Sequence, residues 1–232
     1  GRLLRVLRGH RRDVHRVLYT SDGRRLVTGS WDGTVGIWDP ESGQQLRLLA
    51  HSPVQLLADL SSDGRRIVVG DAKVVARVWN LETDRCECAL VGNSAQVWIV
   101  MFTPDGTRVV TASLDRTLRL WDARSGRPLA RWDLRGICNA LAFSPDDQRV
   151  VLRVTQSTFY ATDAPTVELW DVETGRQLLA FRGFIEIGNI AGFSPDGRRL
   201  VTDWWDSKVR QWEAFPWTEA EYPGSAAQPL QE

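Results

Sequence analysis

The side chains that could do chemistry in this sequence are few. His10, Ser30 and Asp32 are the residue types of a hydrolase triad and lie in one stretch of the chain. Two of them, however, have counterparts at the same offsets further along, where Ser113 and Asp115 stand in the corresponding places. Recurrence at a fixed spacing is typical of residues that hold repeated elements together. A structural role is therefore favoured over nucleophilic catalysis.

The sequence offers little for a metal or cofactor site. Its three histidines do not stand at ligand spacing from Cys or carboxylate residues. Cys86 and Cys88 would point to the same face of a strand, so a metal or redox role is the alternative to two filler residues. The sequence contains no phosphate-binding glycine loop and no nucleophile elbow. We predict no cofactor, no metal and no enzymatic activity.

Composition and charge narrow the classes of partner. The chain has 232 residues, 43% of them hydrophobic, which excludes a disordered or collagen-like chain. The 29 basic and 29 acidic residues cancel, so we expect neither nucleic acid nor a membrane surface as partner. No apolar run approaches the length of a spanning helix, and nothing at the start resembles a signal peptide. Only three cysteines favour a reducing, cytoplasmic location.

A repeat with a period of about 42 residues runs through the chain. Its first marker is a tryptophan followed by a polar residue, found at Trp38, Trp79, Trp121, Trp170 and Trp212. Its second marker is an aspartate in a turn sequence such as SDG or PDG, found at Asp22, Asp63, Asp105, Asp146 and Asp196. The fourth unit has an insertion between its two markers, within residues 155–165.

The segments between these markers read as short strands. In residues 24–39, two β-branched runs flank Asp32-Gly33, which is a hairpin-turn sequence. Further apolar runs precede and follow them, so each unit is expected to form a four-stranded antiparallel sheet, and no segment reads as a long amphipathic helix. We therefore predict an all-β fold. One such sheet buries too little apolar surface to be stable alone, so the units must pack on one another in a stack or a ring.

These features together resemble the WD40 repeat family, in a degenerate, bacterial-type form. Gly9-His10 stands at the start of a unit, Trp38-Asp39 stands near its end, and four predicted strands lie between successive tryptophans. The resemblance implies a β-propeller with five recognisable four-stranded blades in residues 1–213. Residues 214–232 break the pattern, and we expect them to form an exit segment.

The resemblance also implies a structural role for the triad-like residues. Blades of this family are held by a buried hydrogen-bond chain from a histidine through aspartate and serine or threonine to the tryptophan. Only the first unit matches in full, with His10, Ser30, Asp32 and Trp38. We expect the Ser30 hydroxyl to accept the indole N–H, because a buried N–H needs an acceptor.

The sequence is compatible with two numbers of blades in the ring. Five units are few for this family, and residues 1–10 align with a fourth strand and the turn before it, so we expect a fragment of a ring of about seven blades. Alternatively, residues 2–8 supply the strand that the fifth unit lacks, and five blades close by pairing the chain ends.

The candidate binding site is the top face that the resemblance implies, where the innermost strands start and the second and third strands turn. We interpret the following residues as a partner-binding rim: Trp31, Trp98, Leu114, Trp205, His15, Asn139 and Asn189. The insertion in the fourth unit adds Phe159 and Tyr160. Aromatic residues are enriched in protein interfaces. The alternative is that the rim residues fill gaps between turns and that the insertion is a surface bump without a role.

Paired arginines before the second strand have a simpler interpretation. Arg24-Arg25, Arg65-Arg66 and Arg198-Arg199 follow the turn aspartates, and each turn thus carries an acid. A phosphate track would need basic residues on one face with few acids nearby. We therefore predict solvated positions.

The function that this reasoning favours is a non-catalytic platform that binds a protein or peptide on its top face. An alternative is a sensor or regulatory module of a larger bacterial signalling protein that carries a kinase, protease or NTPase domain elsewhere. A catalytic propeller is disfavoured, because the predicted rim holds aromatic residues, Asn and His in place of acids.

Overall fold

A computed structural model describes residues 1–20, 22–50, 57–70, 74–83, 85–156, 166–181, 187–204 and 209–213. These residues form nineteen β-strands. The predicted all-β class is confirmed. Within the described ranges there is no helix long and apolar enough to cross a membrane. The chain divides into two compact units, residues 1–138 and 139–232.

The first unit holds three antiparallel sheets, each with its four strands in sequence order. The first sheet contains β1 (Val14–Tyr19), β2 (Leu26–Ser30), β3 (Thr34–Trp38) and β4 (Gln45–Ala50). The second sheet contains β5 (Leu57–Leu60), β6 (Arg66–Gly70), β7 (Val75–Asn80) and β8 (Arg85–Val91). The third sheet contains β9 (Val97–Phe102), β10 (Arg108–Ser113), β11 (Thr117–Asp122) and β12 (Pro128–Asp133).

The second unit holds two further sheets. The fourth sheet contains β13 (Ile137–Phe143), whose first two residues belong to the first unit, β14 (Arg149–Thr155), β15 (Thr166–Asp171) and β16 (Gln177–Phe181). The fifth sheet contains β17 (Ile187–Phe193), β18 (Arg199–Trp204) and β19 (Val209–Glu213), and it has three strands among the described residues. Each sheet corresponds to one predicted repeat unit.

The recurring aspartates hold the turn between the first and second strands of every sheet. The Thr20 hydroxyl donates to Asp22 Oδ1 at 2.6 Å, and the same carboxylate oxygen accepts the Arg24 N–H at 2.9 Å. These hydrogen bonds lower the pKa of Asp22. The other four turns have the same hydroxyl-to-carboxylate bond, in the pairs Ser61–Asp63, Thr103–Asp105, Ser144–Asp146 and Ser194–Asp196. The second marker of the repeat, the recurring aspartate, therefore stabilises the turn in which it lies by accepting hydrogen bonds from nearby residues.

The core of each unit lies between its successive sheets. Apolar residues of the second sheet pack against β9 and the strands behind it, and all members of this cluster are 5% exposed or less. The cluster comprises Val68, Ala76, Val78, Leu90, Val97, Val100, Phe102, Val109, Trp121 and Ala123. Buried residues of the first and second sheets likewise share a cluster, as do those of the fourth and fifth. Each sheet is thus stabilised mainly by burial against a neighbour.

An arginine at the start of the second strand links one sheet to the next. The Arg66 guanidinium lies 5.7 Å from the centroid of the Phe102 ring, and its Nη2 donates to the Gly106 carbonyl at 2.8 Å. We call this arrangement the inter-sheet clamp. The second unit repeats it with Arg149, which lies 5.7 Å from the Phe193 ring and donates to the Gly197 carbonyl at 3.1 Å.

The prediction that the paired arginines are solvated is therefore wrong for Arg66. Arg25, its equivalent in the first sheet, also makes a contact across sheets, donating to the Leu81 carbonyl. The physical reason is that the long apolar stem of arginine can cross a sheet interface while its planar head stacks on a ring and donates hydrogen bonds.

We expect the inter-sheet clamp to contribute to the free energy of unfolding. Arg66→Ala should lower the free energy of unfolding by about 1–2 kcal/mol, because it removes both the cation–π contact and the hydrogen bond to Gly106. Urea unfolding measures this loss. Arg65→Ala is the matched control, since the Arg65 side chain forms an exposed ion pair with Glu82 at 3.5 Å, and it should change stability by less than about 0.5 kcal/mol. Equal effects of the two substitutions would contradict the clamp.

Candidate functional site

A buried hydrogen-bond chain connects the turn after β2 to the tryptophan of the first sheet. His10 Nδ1 lies 3.1 Å from Asp32 Oδ2, and His10 Nε2 lies 2.6 Å from the Thr28 hydroxyl. Trp38 Nε1 donates to the same hydroxyl at 2.8 Å. These partners place the imidazole proton on Nδ1, so that Nε2 accepts from Thr28 and Thr28 accepts from Trp38. This hydrogen-bond chain runs from Asp32, in the turn after β2, to Trp38, which is 2% exposed.

The acceptor of the indole N–H is therefore Thr28, which corrects the expectation that Ser30 fills this role. Thr28 lies opposite Gly36 on β3, and a Cβ at Gly36 would lie 2.6 Å from Trp38 Nε1. The missing side chain thus leaves the space in which the indole meets the threonine. Ser30 instead donates to the Arg12 carbonyl at 3.1 Å and accepts the Asp32 N–H at 3.1 Å. Its role is to hold the turn that positions Asp32.

The same threonine recurs in other sheets, and sequence reasoning missed it. In two further pairs, the indole N–H donates to a threonine ten residues earlier: Trp121–Thr111 at 2.9 Å and Trp212–Thr202 at 3.0 Å. In the fourth sheet, Trp170 Nε1 donates to Glu168 Oε2 at 3.0 Å, and Glu168 is buried. The constant offset between threonine and tryptophan was the signal available in the sequence.

The aspartates in the turn between the second and third strands of a sheet are stabilised in their ionised form. Burial alone would raise the pKa of Asp32, but hydrogen bonds from Thr34, the Arg11 N–H and His10 outweigh it and lower the pKa well below its usual range. In the third sheet, burial is likewise outweighed by hydrogen bonds from Thr117 and Ser94, which lower the pKa of Asp115 to about 2. Such carboxylates are structural acceptors and poor proton donors at neutral pH.

The triad-like residues do not form a nucleophile–base pair in this arrangement. His10 contacts Asp32, Thr34 and Thr28, and the side chains of His10 and Asp32 are only 7% and 8% exposed. The described residues hold no group of three or more His, Cys, Asp or Glu side chains that could bind a metal ion. Burial raises the pKa of Cys88 to about 11, so its thiol stays protonated at neutral pH.

Predicted rim residues of the first unit lie at the corresponding end of each of their sheets. We define the turn end of a sheet as the end that holds the start of its first strand and the turn between its second and third strands. His15 and Trp31 lie at the turn end of the first sheet, because Val14 pairs with Ser30. Trp98 and Leu114 lie at the turn end of the third sheet, where Val97 pairs with Ser113.

The rim residues differ in exposure. Trp31 is 45% exposed, and its backbone N–H donates to the Asp13 carbonyl at 3.0 Å. Trp98 and Leu114 are half-buried, and the Leu114 N–H donates to the Gln96 carbonyl at 2.9 Å, as at the Trp31 position. Equivalent backbone hydrogen bonds therefore fix both turns.

The predicted rim residues of the second unit are only partly described. Asn139 lies near the start of β13, is half-buried, and donates from Nδ2 to the Thr155 hydroxyl at 2.6 Å. Asn189 lies on β17. Three predicted rim residues lie outside the described residues: Phe159, Tyr160 and Trp205.

Comparisons with known proteins match this architecture. The family model described as WD domain, G-beta repeat matches residues 1–39 and 84–122. The chain is 25% identical to the small ribosomal subunit protein RACK1 of Caenorhabditis elegans, over 92% of this chain and 80% of that protein. It is 29% identical to a guanine nucleotide-binding protein subunit beta of Nicotiana tabacum, over 93% of this chain and 60% of that protein. It is also 34% identical to the protein tipD of Dictyostelium discoideum, over 51% of this chain and 19% of that protein.

The hydrogen-bond chain makes a prediction that separates Thr28 from Ser30. Thr28→Val should lower the free energy of unfolding by about 1–3 kcal/mol, because it leaves the buried Trp38 N–H and His10 Nε2 without their partner. It should also shift the NMR resonance of the Trp38 indole N–H. Ser30→Ala is the control and should leave that resonance in place. A shift in Ser30→Ala without one in Thr28→Val would contradict the assignment.

The lowered pKa of Asp115 makes a prediction about acid stability. A carboxyl whose folded pKa lies below its unfolded value stabilises the fold above the unfolded pKa, and this stabilisation is lost as the pH falls through the folded pKa. Wild type should therefore exceed Asp115→Asn in unfolding free energy by about 1–2 kcal/mol at neutral pH. The difference should shrink as the pH falls from about 4, the ordinary pKa of an aspartate, to about 2, the pKa of Asp115 in the fold. Urea titrations at several pH values measure it, and a pH-independent difference would contradict the assignment.

Proposed function

Because this chain is built from repeats of the WD40 family, we propose that it is a non-catalytic platform that binds a protein or peptide at the turn ends of its sheets. The proposed contact residues are the rim described above: His15, Trp31, Trp98, Leu114, Asn139, Phe159, Tyr160, Asn189 and Trp205. We propose that it acts in the cytoplasm and binds neither nucleic acid nor membrane, in keeping with its zero net charge.

The observation that carries this proposal is the placement of Trp31. Its side chain is 45% exposed, although the residues on both sides of it are held firmly. Ser30 is buried and Asp32 is fixed by His10 and Thr34. A large aromatic side chain on a rigid turn can bury its surface against a partner with little loss of conformational entropy, which is the usual character of an interface hot spot.

The acid–base groups of the described residues favour binding over catalysis. Carboxylates at both kinds of turn have lowered pKa values because they accept several hydrogen bonds. Burial raises the pKa of Asp59, but this group accepts the Phe102 N–H at 3.0 Å and lies 3.4 Å from the Arg16 guanidinium, so it links the sheets. A general acid or base needs an accessible group that titrates near the working pH.

The named relatives support an association role. Two of them are named as a small ribosomal subunit protein and as a subunit of a guanine nucleotide-binding protein, so both names place them in assemblies. The chain spans 60% of the second relative's length, and the partners of this chain are part of the proposal.

The test compares partner capture by matched variants. Trp31→Ala combined with Trp205→Ala should lose at least one protein that the wild-type chain captures, by about tenfold or more in quantitative pull-down, because Trp31 directly precedes the turn aspartate Asp32 and Trp205 stands at the equivalent place in the sequence. Leu46→Ala combined with Leu129→Ala is the control. These leucines are 44% and 39% exposed, but they lie on β4 and β12, away from the turn ends. Retention of every partner by a folded tryptophan variant would overturn the proposal.

A further inference from the structure

Four exposed arginines lie at the turn ends of the first unit. They are Arg11, Arg12, Arg116 and Arg135. Arg12 precedes β1, and its Nη1 donates to the Trp31 carbonyl at 3.4 Å. Arg116 lies in the turn between β10 and β11, and its carbonyl accepts the N–H of Leu134, the residue before Arg135, at 2.8 Å. Among the described residues of the chain, no carboxylate makes an ion pair with any of these four guanidinium groups.

The aspartates beside these arginines have no acceptor position left for them. A carboxylate offers about four acceptor positions. Asp32 Oδ1 accepts the N–H and the hydroxyl of Thr34 at 2.9 and 2.6 Å, and Asp32 Oδ2 accepts the Arg11 N–H at 2.7 Å and the His10 Nδ1–H at 3.1 Å. Asp115 accepts four hydrogen bonds in the same way. Both carboxylates keep their charge, but a bidentate bond from a guanidinium needs oxygens with vacant positions, so the arginine side chains remain available to a carboxylate of a partner.

Other acidic groups are scarce at these turn ends. The described residues there include two exposed acids, Asp13 and Asp133, and Arg131 holds Asp133 with hydrogen bonds of 2.6 and 3.1 Å. The opposite ends of the sheets carry exposed glutamates, such as Glu41 and Glu82, beside the turn aspartates. The described turn ends of the first unit therefore carry more unpaired cations than anions, although the chain has zero net charge.

Arg116 occupies a position at which the first sheet has a glycine. Its φ is 64°, and Gly33 at the equivalent turn position has a φ of 81°. A left-handed conformation costs a residue with a side chain about 1–2 kcal/mol, a cost that glycine does not have. The exposed Arg116 side chain makes no hydrogen bond to any described residue that would offset this cost. The stability of the fold therefore does not explain a cation at the tip of this turn, whereas a contact with a partner would.

We propose that the partner segment bound at the turn ends of the first unit is acidic, so that its carboxylates accept hydrogen bonds from Arg12 and Arg116 while an apolar side chain packs on Trp31. This inference rests on the proposed function and adds the chemical class of the partner. Arginine binds carboxylates bidentately, and arginine and aromatic residues are enriched among the residues that dominate binding energy. Trp31 is 45% exposed and its carbonyl contacts Arg12, so both kinds of contact are available at one place.

A protein segment is favoured over nucleic acid for two reasons. The chain as a whole has zero net charge, and therefore no long-range attraction for a polyanion. The arginines also lie beside apolar side chains, Trp31 in the first sheet and Leu114 in the third. An acidic protein segment can supply carboxylates and apolar side chains together.

The test measures the fluorescence anisotropy of short labelled peptides added to the full chain. The acidic probe consists of glutamates interrupted by leucines, and in two matched probes glutamine or lysine replaces every glutamate. Wild type should bind the acidic probe about tenfold more tightly than the glutamine probe at low salt. This preference should shrink as added salt screens the charges.

Matched variants of the third sheet locate the binding site. Arg116→Gly combined with Arg135→Ala should weaken binding of the acidic probe about tenfold. Glycine suits the left-handed turn, so this variant should fold like wild type. Arg124→Ala combined with Arg127→Ala is the control, because it removes the same charge from exposed residues at the opposite end of the same sheet. It should change the affinity by less than about twofold.

The outcomes separate the class of the partner from the proposed function. If the glutamine or lysine probe binds as tightly as the acidic probe and Trp31→Ala abolishes that binding, the acidic class is overturned and the platform stands. Equal losses in the two arginine variants would show that net charge alone matters, and this too would overturn the inference. A single-stranded DNA probe that binds more tightly than the acidic peptide and depends on Arg116 would assign the surface to nucleic acid instead.

A last outcome concerns probes that do not respond to the variants. If neither Trp31→Ala nor the Arg116 variant changes the binding of any probe, the inference fails. The proposed function then falls only if the tryptophan variant also retains every partner in the pull-down.

Discussion

Within each compact unit, one sheet covers an apolar face of the next, and the rest of the structure depends on that packing. Strands of four to seven residues cannot bury enough surface within one four-stranded sheet to be stable. The cluster between the second and third sheets shows the solution, with Val68 and Val78 on one side and Val97 and Val100 on the other. The polar groups near this core follow from the same packing, because a buried indole N–H or arginine head needs a partner in reach.

Two hydrogen-bonded arrangements give the polar groups in and beside this core their partners. Within a sheet, Thr28 accepts the Trp38 indole N–H, and His10 and Asp32 extend that chain to the turn end. Between sheets, the clamp made by Arg66 fixes one sheet against the turn of the next. The first arrangement also holds Asp32, the residue after Trp31, by hydrogen bonds from His10 and Thr34, and this links the packing of the core to the proposed binding surface.

Sequence reasoning succeeded where the determining contacts are local. The five turn aspartates and the strand boundaries around them follow from hydrogen bonds between near neighbours, such as Thr20 and Asp22. It failed where a partner comes from another strand or sheet. Ser30 and Thr28 both offer a hydroxyl on β2, and only the pairing of Thr28 with Gly36 decides between them. Arg66 contacts a turn of the next sheet, which its own flanking residues do not reveal. The number of blades in the ring and the composition of the rim stay predictions.

Amide hydrogen exchange in dilute solution measures whether a sheet is stabilised by the sheet that covers it. Exchange rates report local opening, which is easier where few apolar contacts hold a strand. Amides of β9, whose Val97 and Phe102 are buried, should exchange much more slowly than those of β1, whose Val14 and Tyr19 are exposed. The amides of β10 and β11 should be among the slowest. Equal protection of β1 and β9 under these conditions would contradict the claim.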